Sequence, residues 1–315
     1  MSVLSIVAPI FVLIAVGYAA ARLGYLSDNA QRGISEFAFN FAMPALLFRS
    51  IANATGGDAG SSRIVFVYFG GIAILWLLAT LHTRFILKRP AIDAPTIAMT
   101  SSFGNIVMIG IPLVLAVVGD AGAAPMAVLL GIHTPLLWFM GTLHQQAAEQ
   151  RRGRSAVTIA TDLGSDLVRN PLLIAIAAGA LWRLTGLGLQ SGFDSSLALL
   201  AQAGVPCAQV ALGASLVRFQ IKGQAPTLTS ILVLKLLVFP AIVYGLAVWV
   251  FQLPKPAAQV ALILASMPAG ANAFLFAERT RRVLNSASGA VALGTLLAAV
   301  TSTLLIANLD WLVGR

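Results

Sequence analysis

Apolar runs of roughly membrane-spanning length recur along the whole chain, separated by short polar stretches. About 20 residues cross a hydrocarbon core. The pattern therefore predicts ten spans, near 3–21, 34–52, 64–86, 96–118, 123–145, 170–188, 195–217, 226–250, 257–278 and 286–312. The connection at 146–169 carries Arg151, Arg152, Arg154 and Arg169, and the other loops are too short to fold on their own. The chain thus divides into 1–145, a basic loop at 146–169, and 170–315. An odd number of crossings per half reverses the direction of entry, so two homologous halves would form an inverted repeat.

Two spans break their own pattern. Span 9 contains SMPAGANAF (266–274), and span 4 contains FGNIVMIGIPL (103–113). Each puts Pro, Gly and Asn where a continuous helix is expected, in a medium where an unsatisfied backbone group costs several kcal/mol. Pro44 in span 2 stands opposite Pro206 in span 7, and Pro112 in span 4 opposite Pro268 in span 9. Paired interruptions in two halves point to a transporter site. A break at the midplane creates helix ends, and an N-terminal end carries about half a positive charge together with unpaired N–H groups. Two such ends facing each other would hold a carboxylate. The Asn105 and Asn272 amides could satisfy the freed backbone or reach a ligand.

Composition fixes the solvent. Of 315 residues, 58% are hydrophobic and 10% charged, and the mean hydropathy is +0.90. A soluble domain has about 25% charged residues, so this is an all-α integral membrane protein. The net charge of +9 lies in clusters flanking the spans and forms no stripe suited to nucleic acid. Lys and Arg also set the orientation. With the N-terminus outside, the inner side holds Arg22, Arg32, Arg84, Lys88, Arg89, Arg151, Arg152, Arg154, Arg169, Arg218, Lys222, Arg279, Arg281 and Arg282. The outer side holds Arg49, Arg63, Arg183, Lys255 and Arg315. Both termini are expected to be periplasmic, in an inner membrane. A single cysteine, Cys207, excludes an intrachain disulfide. No nucleotide-binding or hydrolase motif occurs, and neither a cofactor, a metal nor an enzymatic activity is expected.

FGNIVMIGIPL and SMPAGANAFLFAER (266–279) resemble the fourth and ninth spans of the auxin efflux carrier family, in its bacterial branch. FNFAMPALLF (39–48) resembles that family's second span and KLLVFP (235–240) its eighth. The resemblance implies ten spans in two inverted five-helix repeats, with broken helices 4 and 9 crossing at the midplane. It also implies an elevator-like motion of spans 3–5 and 8–10 against a scaffold of spans 1, 2, 6 and 7. Its functional residues map onto Asn105 and Pro112 in the first crossing helix, and onto Pro268 and Asn272 in the second. The long hydrophilic central loop of the plant exporters is missing, which weakens the implication of auxin itself and of regulation by loop phosphorylation.

The candidate substrate site is Asn105, Ile109, Pro112, Pro268, Gly270 and Asn272, with Asn40 and Gln209 facing it from spans 2 and 7. For the last two, an interhelical hydrogen bond is an equal reading. Lys235, about ten residues into span 8, either pins half-helix C-terminal carbonyls or supplies charge to substrate or coupling. His133 reads as a helix–helix contact. The acidic residues fall in loops or near span ends, Glu36 being the nearest to an interior position. A sodium- or proton-coupled cation carrier, which needs carboxylates at the midplane, is therefore the weaker alternative, as is a non-transporting membrane sensor. The expected function is secondary transport of small organic anions, carboxylates such as malate or malonate or auxin-like acids. Lipid is a partner, and a homodimer is a further expectation.

Overall fold

A computed structural model describes residues 3–53, 61–149, 169–219 and 225–314. Most of the basic loop, with Arg151, Arg152 and Arg154, lies outside the described residues. Those described are helical, with no β-strand among them; two residues form an isolated bridge, Gly104 with Ala269. Five helices are long and apolar enough to cross a membrane: Ser62–Phe85, Gly119–Ala148, Ser191–Leu216, Ala225–Val250 and Leu284–Ala307. Four shorter apolar helices accompany them. Large apolar side chains such as Phe66, Leu77, Leu181, Leu199, Trp249, Leu296 and Leu304 stand exposed on these helices. In water such surface would drive aggregation; in a bilayer it is the lipid-facing coat.

The helices fall into two packed groups. The first comprises α1 (Val3–Arg22), α2 (Asp28–Phe37), α3 (Met43–Ala52), α8 (Pro171–Leu184) and α9 (Ser191–Leu216), with α2 running into α3 through a π-turn at Ala38–Ala42. The second contains α4 (Ser61–Phe85), α5 (Ala94–Ser102), α6 (Ile111–Val117) and α7 (Ala123–Ala148). It also contains α10 (Ala225–Val233), α11 (Phe239–Tyr244), α12 (Lys255–Ala265), α13 (Ala271–Thr280) and α14 (Leu284–Ala307).

Backbone contact through glycine holds the first group together. A Cβ on Gly17 of α1 would lie 2.1 Å from the Val210 carbonyl oxygen of α9, and one on Gly179 of α8 would lie 2.8 Å from the Phe48 oxygen of α3. Only glycine allows either approach, as small residues do at membrane helix crossings. These two contacts are copies of each other: Gly179 stands 162 positions after Gly17, and Val210 stands 162 after Phe48. Gly204, 162 positions after Ala42, packs on Ala42 itself, with its absent Cβ 3.2 Å from that carbonyl carbon. The 162-residue spacing that separates Pro44 from Pro206 therefore governs the packing of this group.

Several ion pairs each lie within one group. Arg49 forks onto Asp194 at 2.7 and 3.0 Å, and Arg218 reaches Asp28 at 3.0 Å, so both join α9 to the α2–α3 stretch from opposite ends. In the second group Asp93 is buried, 3% exposed. It receives Arg89 at 2.9 Å and Arg282 at 3.6 Å. Sequence alone places Asp93 among the loop acids; the fold turns it into a clamp between the segments entering α5 and leaving α13.

Candidate functional site

Spans 4 and 9 each fold as two half-length helices. Helix α5 stops at Ser102 because Phe103 turns extended (φ −76°, ψ 100°), and the chain resumes helical structure after Asn105. Helix α12 stops at Ala265. Pro268 has no N–H for a helix bond and disfavours helical geometry at Met267, and Gly270 (φ −87°, ψ 160°) leads into α13. The two gaps lie against each other. Asn105 N–H donates to the Pro268 carbonyl at 2.8 Å, and Gly270 N–H donates to the Phe103 carbonyl at 3.0 Å. Each break thus satisfies backbone groups freed by the other, which is how both persist away from water.

At the bridge Gly104 faces Ala269, and in this antiparallel pairing Asn105 lies opposite Pro268 and Phe103 opposite Gly270. Pro112 lies beyond the break, in the first turn of α6, after a π-turn at Ile106–Gly110. Its effect is on the turn before it. Pro112 has no N–H to offer the carbonyl four residues back, at Met108, and that carbonyl accepts Nε2 of Gln209 from α9.

Met108 is the residue that sequence reading passes over, since its side chain carries no chemistry. Its N–H donates to Asn105 Oδ1 at 3.3 Å, capping the π-turn. Its carbonyl takes the Gln209 amide. One peptide unit pair therefore orients two side-chain amides. Gln209 is wholly buried and Asn105 is 7% exposed, yet Asn105 Nδ2 and Gln209 Oε1 have no partner among the described residues. Of the two readings of Gln209, the interhelical hydrogen bond is realised, with one amide atom left over.

The other expected site residues separate. Ile109, Pro112, Pro268 and Gly270 are buried at the crossing, Asn272 is half-buried in the first turn of α13, and Asn40 is exposed in the π-turn at Ala38–Ala42. Gly270 is held by space as well as by backbone: a Cβ there would lie 3.2 Å from the Gly104 oxygen and from the Phe103 ring.

Behind the bridge sits Lys235, 1% exposed, in a π-turn at Leu234–Val238. Its Nζ donates to the Ala265 carbonyl at 3.0 Å, at the end of α12, and lies 4.6 Å from the Phe239 ring centroid. A cation at a helix C-terminus meets the negative end of the dipole. The end of α5 is furnished differently. Ser101 Oγ, Ser102 Oγ, Tyr68 OH and both His133 ring nitrogens are buried there without a partner among the described residues. The His133 ring packs on Phe103 at 4.7 Å and Tyr68 at 5.8 Å between centroids. Among the described residues no cluster of three or more His, Cys, Asp or Glu side chains could hold a metal ion.

Comparison with known proteins identifies the family. A Rhizobium meliloti (strain 1021) protein named "Putative malonate transporter" is 24% identical over 299 residues, covering 95% of this chain and 93% of that one. The family model described as "Membrane transport protein" matches residues 2–306. The chain is an integral membrane transport protein and belongs to that family, the auxin efflux carrier family of the sequence resemblance.

Proposed function

We propose that the protein is a secondary carrier of small organic anions, dicarboxylates of malonate size first among them. In this reading ten spans form two inverted five-helix repeats, and both termini face the periplasm across the inner membrane. The group containing the crossing moves as one body against the glycine-packed group. The observation that carries the reading is the crossing itself: a buried amide donor, Asn105 Nδ2, lies at a helix start with no hydrogen-bond partner among the described residues. The 162-residue repetition of packing contacts supports the inverted repeat, and the ion pairs of Arg49 with Asp194 and of Arg282 with Asp93, each inside one group, support two rigid bodies. The name of the Rhizobium relative supports the substrate class.

No nucleotide-binding motif is present in the sequence, so the work is drawn from a gradient. The bond from Gln209 to the Met108 carbonyl joins the two bodies and must break and re-form during a cycle.

The test is uptake into proteoliposomes loaded with purified protein. Labelled malonate should accumulate or exchange, and Asn105→Ala should weaken its binding. Loss of one hydrogen bond to a charged group costs about 1.5–3 kcal/mol, or about ten- to a hundredfold in affinity. Uptake of sodium or amines with no uptake of any carboxylate would overturn the assignment.

A further inference from the structure

The two leftover amide atoms are of opposite kind. Their orientation is not interchangeable, although side-chain amides are usually ambiguous. Asn105 must present its oxygen to the Met108 N–H, which leaves the NH2 group free. Gln209 must present its NH2 to the Met108 carbonyl, which leaves the oxygen free. Asn105 therefore presents an NH2 group with no partner and Gln209 an oxygen with none, both buried, each costly to leave unmet.

A fully ionised dicarboxylate has only acceptor oxygens. It satisfies Asn105 Nδ2 and sets a negative oxygen against Gln209 Oε1. An anion that also carries an O–H or N–H answers both atoms. The geometry points to selection of that second class: Asn105 and Gln209 recognise a monoanion bearing a hydrogen-bond donor, such as a hydroxy acid or a dicarboxylate that keeps one proton, in preference to the dianion. This rests on the carboxylate-carrier reading and adds the hydrogen-bonding form of the substrate. A site built to bond a substrate hydroxyl or amide rejects the analogue lacking it strongly, because its own polar groups are then stranded.

A pH profile would change the charge of the substrate together with its hydrogen-bond donor. The experiment is therefore run at one pH, about 7.5, with probes of fixed charge. Malonic acid monoamide and malonic acid monomethyl ester are both monoanions of nearly equal size; the amide has a donor and the ester has none. Each competes with labelled malonate in proteoliposomes of the full chain. The monoamide should inhibit at least about tenfold more strongly than the ester. In Gln209→Met the ratio should fall to about one, whatever happens to the absolute rate. If that variant does not fold, the comparison in the unaltered protein decides alone. Equal inhibition by the two probes, alongside normal malonate transport, overturns the donor requirement and leaves the carrier reading standing. A protein that moves no carboxylate overturns both.

Discussion

The ends of α5 and α12 meet at the same bridge, in the same register, yet their chemistry differs. Helix α12 ends on a lysine: Nζ of Lys235 takes the Ala265 carbonyl, and Ser266 Oγ takes the Ile263 carbonyl at 2.8 Å. Helix α5 ends among Ser101, Ser102, Tyr68 and His133, none with a side-chain hydrogen bond among the described residues except for ring packing. Backbone bonding fixes where the two helix ends meet. It does not fix which side chains stand behind them, because one side chain from span 8 suffices to make the two ends unequal. The protein has a lysine at one half-helix end, and hydroxyl and imidazole groups at the other.

The sharpest way to break this comparison is at Lys235. Lys235→Ala removes a fully buried side chain and strands a helix-end carbonyl. A buried large-to-Ala change costs about 2–5 kcal/mol, so a marked fall in melting temperature and loss of transport are expected. Lys235→Met restores volume without charge. It should recover most of the melting temperature and little of the transport; normal transport in this variant would reduce the lysine to a space-filler.

Gly270→Ala acts on the bridge directly. Its methyl group meets the Gly104 carbonyl and the Phe103 ring, and overpacking of this kind costs about 1–3 kcal/mol. The melting temperature should fall and substrate affinity with it. An unchanged protein would show that the crossing gives way more easily than its distances imply.

Pro268→Ala is expected to be milder than the sequence suggests. From sequence, replacing Pro268 should let the helix close across the break and abolish transport. The bridge changes that expectation: closing the helix would sacrifice the bonds from Asn105 N–H and Gly270 N–H, so the break should survive and transport should persist at a reduced rate. Complete loss of transport with a raised melting temperature would restore the simpler view that proline alone holds the helix open.

The smallest effect is predicted at the other end. Ser102→Ala deletes a buried hydroxyl that has no partner among the described residues, so stability should stay within about 0.5 kcal/mol or rise slightly. A loss as large as that of Lys235→Ala would mean that the α5 end depends on its hydroxyls as heavily as the α12 end depends on its lysine.

The sequence by itself determined the solvent, the places of the helices and the two breaks. Hydropathy is summed over 20 residues and tolerates local error, and Pro268, Gly270 and the FGN string act on their own backbone, so neither needs a partner to be legible. Lys235 at a half-helix carbonyl was one of two readings the sequence allowed, because a lysine that deep must find an acceptor. Register and orientation were decided only in three dimensions. Proline spacing pairs Pro112 with Pro268, yet it is Asn105 that meets Pro268 across the bridge, since contact between the breaks is decided by which carbonyls and amides meet, not by where proline stands. Met108 joins the site through its peptide groups, which every residue shares, and so leaves no mark in the sequence. Asp93 is read as a loop acid until Arg282, far along the chain, closes over it. The free Nδ2 of Asn105 and the free Oε1 of Gln209 exist only because their other atoms are already taken, and that is settled by contact between Met108 and Gln209, 101 residues apart.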